Sequence, residues 1–364
     1  MKIIIHAARW IVGLLFIVSG IIKVNDPIGT AIKMQEYFEV FATDIAGFFH
    51  VLVPYALFFA VFLSVLEVVL GIAVLINYRM RLTTRVLLVI IVFFTFLTFY
   101  SAKFNKVTDC GCFGDAIKLT PWESFSKDLV LIVLIGILFI YWQKFKALLP
   151  DRTGTIVVVA TFALNTFLAI YAINHLPFVD FRAYKIGANL AKSMEPSEKL
   201  RYQYIMTKDG QEHKFDQYPT TGGYEYKDMV LLNPEAAPKI TDYNIWNDEG
   251  DFTQASFEGT RLVIISYDVR KSDVKSFQDI NQLIAGLKNG VVEPVAFTAS
   301  DGETFENFRH EVQLAIPYYF GDATVLKTII RSNPGIILLD NGVVKGKWHY
   351  NDVPDAADIL RLTR

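Results

Sequence analysis

Residues Val51–Ile76 read VLVPYALFFAVFLSVLEVVLGIAVLI, and Glu67 is the only charged residue in this run. A helix of about 20 mostly apolar residues crosses the roughly 30 Å hydrocarbon core of a bilayer, so this run is long enough to span a membrane. The composition of the whole chain agrees, because 52% of its 364 residues are hydrophobic, 20% are charged and its mean hydropathy is +0.33. This is too apolar for an ordinary soluble protein.

Four further apolar runs flank this segment in the first half of the chain. They are Ile3–Ile22, Val86–Ser101, Leu129–Trp142 with its preceding turn, and Thr155–Ile173. The first run lacks the small-residue cleavage pattern of a signal peptide, so we expect it to stay as an anchor. The sequence therefore predicts five membrane helices followed by a region of ordinary globular polarity. The net charge of −2 provides no basic field, so nucleic-acid binding has no support.

Basic residues predict the orientation of these helices. The loops after the second and fourth runs are dense in arginine and lysine, which is typical of loops on the cytoplasmic side. The lysines of the opposite loops are diluted over longer segments that also contain acids. By parity, the loop Ala102–Pro121 and the C-terminal half lie in one compartment, which this orientation places outside the cytoplasm. The basic residues of the dense loops are Arg79, Arg81, Arg85, Lys144, Lys146 and Arg152.

The chain contains two cysteines, Cys110 and Cys112, and Gly111 alone separates them. A bridge across one residue is geometrically constrained, and strained bridges are easier to reduce. Such a small loop adds little stability to a fold. The two cysteines are therefore either a redox-active pair or a static bridge, or else they bind a metal or have no role. A metal site would need further ligands, and the nearest histidines, His50 and His175, are distant in sequence.

Residues 5–145 contain several short motifs in a fixed order. They are Arg9–Gly13, Ser19–Lys23, Asp26–Pro27, Glu67–Gly71, Cys110–Gly114, Pro121–Trp122 and Lys127–Asp128. These motifs resemble the DoxX and MauE group of bacterial four-helix membrane proteins. This similarity implies a thiol–disulfide function at a bacterial inner membrane, and it does not imply methylamine as a substrate. The bundle is also similar in general plan to quinone-coupled vitamin K epoxide reductase proteins, so a quinone is the cofactor that the resemblance suggests.

Two ionisable residues inside the spans predict a buried ion pair, since such residues are costly in hydrocarbon. Counting 1.5 Å per residue places Arg9 about 9 Å and Glu67 about 14 Å from the same membrane face. Lys23 falls at the opposite surface by this count, and so it is expected not to reach Glu67. The predicted pair of Arg9 and Glu67 either holds the helices together or takes part in proton or quinone chemistry.

The linker Val24–Phe49 contains Met34, Tyr37, Phe38 and Phe41 at helical spacing. This pattern is typical of an amphipathic helix in the membrane interface. Such a helix either covers the bundle near Cys110 or is an ordinary surface helix.

The C-terminal half begins with alternating stretches and turns, which predict a small β-rich connector over residues 177–237. Residues 238–364 then alternate strands and helices and end in a hairpin, the pattern of a mixed α/β sheet. Five strands are predicted, at Leu262–Tyr267, Val292–Thr298, Pro317–Phe320, Gly335–Asp340 and Val343–Trp348.

This order resembles the thioredoxin fold of the peroxiredoxins and thiol–disulfide reductases, and the resemblance implies a cis-proline at Pro334. Where that family has its cysteine motif, this chain has Ser266–Ser272 and no cysteine. The domain therefore cannot exchange disulfides by itself.

The predicted fold class is multi-domain, with a membrane helix bundle, a small β-rich module and an α/β thioredoxin-like domain. The predicted domains are a four-helix bundle over 1–150, a fifth membrane helix over 151–176, the connector over 177–237 and the thioredoxin-like domain over 238–364.

Two functions fit these patterns. In the first, Cys110 and Cys112 are the catalytic pair of a quinone-coupled thiol–disulfide oxidoreductase that acts on an envelope protein with thiols, and the cysteine-free domain is a docking platform. In the second, a non-catalytic anchor presents that domain to an envelope partner through an exposed face around Asn333, Pro334 and Trp348.

Overall fold

The computed structural model describes residues 2–107, 111–287 and 290–363, with the backbone alone for Lys2. The chain divides into two compact units, Met1–Arg182 and Ala183–Arg364. The first unit is helical and the second is rich in strands. The predicted domain boundaries near residues 150, 176 and 237 subdivide these units, and they stay predictions.

Most of each apolar run of the sequence lies in one long helix of the first unit. Capping residues mark two of the helix starts: Asp26 accepts a hydrogen bond from the Gly29 amide, and Thr120 forms a capping box with Glu123. The helices are α1 Lys2–Asn25, α2 Pro27–Asp44, α3 Ala56–Leu75 after a 3-10 segment at Gly47–Tyr55, α4 Met80–Phe104, α5 Pro121–Ile140 and α6 Asp151–Asn174.

Four segments of the described chain are long and apolar enough to cross a membrane, which makes the protein a multi-pass membrane protein. They are Ile3–Asn25, Gly47–Leu75, Met80–Phe104 and Asp151–Asn174. The predicted run Leu129–Trp142 lies in α5 and its following turn, and α5 is not among the four. The first turns of α5 contain Glu123, Lys127 and Asp128, so its apolar part is shorter than the other spans.

Glycines allow α1 and α3 to pack closely. A Cβ at Gly20 would lie 2.8 Å from the Ser64 carbonyl oxygen, and one at Gly71 would lie 2.7 Å from the Gly13 carbonyl oxygen. These distances are shorter than van der Waals contact, so only glycine fits where the two backbones meet. The two contacts together set the register of α1 against α3.

Helix α2 confirms the predicted amphipathic helix of the linker. Its aromatic face is buried, with the Phe41 ring 5.1 Å from the Tyr100 ring in an edge-to-face arrangement. The Tyr37 hydroxyl is 2.8 Å from the Ser101 hydroxyl. Helix α2 thus packs its aromatic face against α4, inside the helical unit.

The second unit begins with a three-stranded antiparallel sheet. Its strands are β1 Tyr202–Lys208, β2 Gln211–Phe215 and β3 Glu225–Leu231, in the spatial order β2-β1-β3. The turn between β1 and β2 is Asp209-Gly210, and both residues have positive φ, as a two-residue hairpin turn requires. The predicted β-rich hairpin module is therefore confirmed.

A seven-stranded mixed sheet follows, and its elements appear in the predicted order. Its strands are β4 Ile245–Asn247, β5 Gly250–Asp251, β6 Thr260–Ser266, β7 Glu293–Thr298, β8 Tyr318–Gly321, β9 Gly335–Asp340 and β10 Val343–His349. Strand β7 pairs in parallel with both β6 and β8, whereas β9 pairs antiparallel with both β6 and β10. The spatial order is β10-β9-β6-β7-β8-β4-β5. The helices are α7 Leu190–Ser193, α8 Phe277–Gly286, α9 Gly302–Glu311, α10 Ala323–Ile329 and α11 Ala356–Leu362.

Residues before the three-stranded sheet are part of the same packed unit as β10. The Gly187 amide donates to the Val344 carbonyl at 2.8 Å, and the Val344 amide donates to the Ala188 carbonyl at 2.9 Å. Tyr184 and Leu190 are 3% and 2% exposed. The segment 183–190 therefore contributes both backbone pairing and buried side chains to the second unit.

This pairing predicts that a fragment of residues 183–364 is more stable than one of residues 238–364. The shorter fragment loses the buried Tyr184 and Leu190, and burying each such side chain contributes about 1.5–3 kcal/mol. We expect its free energy of unfolding to be lower by about 3–6 kcal/mol. Urea unfolding of the two soluble fragments measures the difference, and equal midpoints would show that the segment adds nothing.

Candidate functional site

A cavity inside the helical unit opens beside Cys112. It contains about 900 Å³ of empty space, part of it open to the outside, and its wall is mostly apolar. Residues of α1 to α5 and of the loop after α4 line it. The apolar lining residues include Leu15, Phe16, Leu63, Phe94, Leu97 and Leu131.

The loop that carries the cysteines reaches the cavity through Gly111, Cys112 and Phe113. Gly111 and Gly114 have positive φ of 64° and 50°, and the Gly114 amide donates to the Gly111 carbonyl at 3.1 Å. Residues other than glycine rarely adopt a positive φ, so the two glycines determine the shape of the turn around Cys112. Cys112 is half-buried, and Phe113 is buried. The predicted partner Cys110 lies outside the described residues.

A buried polar network connects this loop to the bundle. Lys23 Nζ lies 2.6 Å from Glu67 Oε1, with their side chains 10% and 3% exposed. The Ser19 hydroxyl oxygen lies 2.8 Å from Glu67 Oε2 and 2.8 Å from the Cys112 carbonyl oxygen. Ser19 therefore joins the ion pair to the backbone of Cys112.

The predicted ion pair of Arg9 with Glu67 is wrong, because Lys23 is the partner of Glu67. The glycine contacts between α1 and α3 place Glu67 beside Ser19, and Arg9 lies ten residues away on α1, or about 15 Å along the helix axis. Lys23 lies within α1, which continues to Asn25, and its flexible side chain turns inward. Arg9 donates to Asn77 Oδ1 at 2.9 Å instead.

A second buried charge in the cavity was not singled out as a site residue from the sequence. Asp128 is 1% exposed, accepts a hydrogen bond from the Thr98 hydroxyl at 2.9 Å and forms a salt bridge with Lys127 at 2.6 Å. Lys127 also lies over the Phe113 ring, 5.6 Å from its centroid. The signal in the sequence was a charged pair directly before the apolar run of α5. A buried carboxylate beside a cavity is a candidate functional group.

The second predicted site region lies in the seven-stranded sheet. The peptide bond between Asn333 and Pro334 is cis, as the resemblance implies. Asn333 and Pro334 are buried, so the predicted exposed face around them is wrong for both residues. The Asn333 amide turns inward and donates to the Asp268 carbonyl at 2.7 Å. Trp348 is half-buried against the core of the sheet.

Residues 266–272, which begin at the end of the buried strand β6, contain a cluster of hydroxyl and carboxylate groups. The Ser266 and Ser272 hydroxyls are 2.9 Å apart. Burial acts to raise the pKa of Asp268, but the hydrogen bond from Arg270 and the charge of Lys271 outweigh it and hold that pKa below its usual value. This cluster offers a carboxylate and two hydroxyls and no thiol.

Comparison with known proteins places the membrane region in a family context. The family described as methylamine utilisation protein MauE matches residues 1–141, which include every residue that lines the cavity. This confirms the resemblance predicted for the membrane region. Protein TlpB of Flavobacterium psychrophilum is 28% identical over 171 residues, which are 46% of this chain and 43% of that relative. The chain thus matches less than half the length of this relative.

Proposed function

We propose that this protein is a membrane-bound thiol–disulfide oxidoreductase in which Cys110 and Cys112 are the redox pair. The observation that carries the proposal is that Cys112 lines a largely apolar cavity together with one buried ion pair, Lys23–Glu67, and one partly buried pair, Lys127–Asp128. Cavities with mostly apolar walls and a few convergent polar groups are typical of small-molecule sites. Buried charges at membrane depth are typical of functional sites.

The chemistry of this site fits a quinone as the electron acceptor. When a disulfide forms from two thiols, two electrons and two protons leave, and a quinone takes up both to become a hydroquinone. The apolar walls of α1, α3 and α4 suit its ring, and Lys23, Lys127 and the Thr98 hydroxyl are among the donors that line the cavity. The Cys110–Cys112 disulfide then accepts electrons from a partner dithiol by thiolate attack through a mixed disulfide.

The second unit has the role of a docking platform in this proposal, and we propose a thioredoxin-like fold for it. The spatial order β10-β9-β6-β7, with β6 parallel to β7 and antiparallel to β9, supports this fold. We also propose that α5 is a fifth span, that the membrane is a bacterial inner membrane and that both units present their partner-facing surfaces outside the cytoplasm. The density of arginine and lysine at Arg79–Arg85 and Lys144–Arg152 supports this orientation.

The alternative function is a non-catalytic anchor that presents the second unit to an envelope partner. The observation that favours it is the absence of cysteine from residues 183–364, with Ser266 and Ser272 in place of a cysteine motif. Under this alternative Cys110 and Cys112 form a static bridge that exchanges no electrons, and the second unit alone binds the partner.

Quinone-dependent oxidation of the cysteines tests the proposal. The full chain is purified in detergent, reduced, freed of reductant and mixed with a short-chain ubiquinone while free thiols are counted by maleimide labelling. We expect two thiols to be lost for each hydroquinone formed. Cys110→Ser and Cys112→Ser should each abolish this reaction. In membranes, each single variant should either trap the mixed disulfide with a partner protein or fail to form it.

The variant with both cysteines replaced is the matched control, since the chain then has no thiol. It should form no hydroquinone while it remains inserted in the membrane. Cysteines that stay reduced in the presence of the quinone, or a double variant with full cellular function, would favour the anchor instead.

A further inference from the structure

A second hollow lies at the end of the bundle where α3 ends and α4 begins, about one helix length from the cysteine loop. It contains about 940 Å³ of empty space, much of it open to the outside. Arg79, Arg81 and Arg85 line it, and Asp151 is the one acidic residue among its lining residues. Its electrostatic character is therefore strongly positive.

The arginines of this hollow are not paired with acidic residues in the described part of the chain. Near the cysteine loop, by contrast, Lys23 and Lys127 pair with Glu67 and Asp128. Because the other end of the bundle is neutralised from within, the excess charge at the arginine end favours an anion from outside the chain.

A buried guanidinium behind the hollow adds to this excess. Arg9 is 8% exposed, and its Nη1 donates at 2.9 Å to Asn77, which lines the hollow. Its Nε has no hydrogen-bond partner, and no carboxylate pairs with Arg9 in the described part of the chain. A buried cation without a counterion is costly, so an anion in the hollow would stabilise the Arg9 charge through space.

The surroundings of the hollow match a lipid better than a soluble anion. Leu82 lines it and is 57% exposed, and the Arg81 guanidinium lies over the Trp142 ring at 5.5 Å. Tryptophan and arginine at the end of membrane helices are typical of the headgroup level of a bilayer. The N-termini of α4 and α6 meet the hollow as well, and their partial positive charges favour phosphate.

We propose that this hollow binds the phosphodiester headgroup of an anionic phospholipid. Arg81 and Arg85 pair with the phosphate, for which the planar guanidinium is well suited, and Leu82 lies against the first methylenes of an acyl chain. The site is separate from the cysteine cavity, so the proposal does not depend on the redox function. It fits the basic pockets that hold lipid headgroups on the cytoplasmic side of membrane proteins.

Lipid retention by the full chain tests this site. The purified protein in a neutral detergent is titrated with dioleoyl phosphatidylglycerol or dioleoyl phosphatidylcholine, and bound lipid is counted by native mass spectrometry. We expect one phosphatidylglycerol to be retained in preference to phosphatidylcholine. Arg81→Gln with Arg85→Gln should weaken phosphatidylglycerol binding about thirtyfold, since each basic residue near an anionic lipid surface contributes about a factor of five.

The matched control is Lys144→Gln with Lys146→Gln, which removes the same charge at the same end of the bundle outside the lining of the hollow. It should weaken binding less than fivefold. Equal losses in the two double variants would show diffuse attraction and overturn the site. Displacement of the lipid by millimolar inorganic phosphate or glycerol phosphate would identify a soluble anion as the ligand and overturn the lipid proposal. Melting temperatures of both variants separate lost binding from lost folding.

Discussion

Gly20→Ala is expected to separate α1 from α3 and to destabilise the helical unit by about 3 kcal/mol, the upper range for overpacking of a close-packed interior. The new Cβ would lie 2.8 Å from the Ser64 carbonyl oxygen and 2.9 Å from the Val68 amide nitrogen. Both atoms belong to the backbone, so neither can turn away as a side chain would. Unfolding of the purified chain in mixed micelles of increasing dodecyl sulfate content measures the loss.

Gly136→Ala is the control for this variant, because Gly136 is also a glycine within a membrane-region helix. A Cβ at Gly136 would meet no atom within 4 Å. The substitution should leave stability unchanged or raise it by up to about 1 kcal/mol, since alanine favours a helix over glycine. If Gly20→Ala is as stable as Gly136→Ala, the close approach of α1 and α3 is not what holds this unit together.

Glu67→Met is expected to cost about 3–5 kcal/mol, because it leaves the Lys23 ammonium buried without its counterion. Lys23→Met should cost a similar amount for the opposite reason. The variant with both changes removes both charges, and replacing a buried ion pair by apolar side chains of similar volume is often close to neutral. We therefore expect the double variant to recover most of the stability that each single variant loses.

Dodecyl sulfate unfolding of the two single variants and the double variant gives the coupling energy of the pair. Lys106→Met is the control, because Lys106 pairs with Asp44 with its side chain 46% exposed, and exposed pairs contribute about 0–1 kcal/mol. Additive losses at Lys23 and Glu67 would mean that the two side chains do not stabilise one another.

The helices of the first unit could be predicted from sequence because their apolar runs have the length that a bilayer requires. Their register could not. The partner of Glu67 depends on how far α1 slides along α3, and contacts of Gly13 and Gly20 with backbone atoms of α3 decide this. A depth count treats each helix separately, so it placed Lys23 out of reach.

The cavity beside Cys112 could not be predicted from the sequence either, because its lining residues come from five helices and no single stretch of sequence contains them. In the second unit, the order of strands and helices followed from alternating polarity. The exposure of Asn333 did not, since its side chain turns inward to the Asp268 carbonyl. Sequence patterns thus identified the elements of both units, and the contacts between elements decided the sites.

The Ser19 hydroxyl has one hydrogen but faces two acceptors, Glu67 Oε2 and the Cys112 carbonyl oxygen. That hydrogen can satisfy only one acceptor at a time, so the ion pair between α1 and α3 and the backbone of the cysteine loop compete for it. How firmly the Cys112 carbonyl is held therefore depends on where the neighbouring helix places the Glu67 side chain.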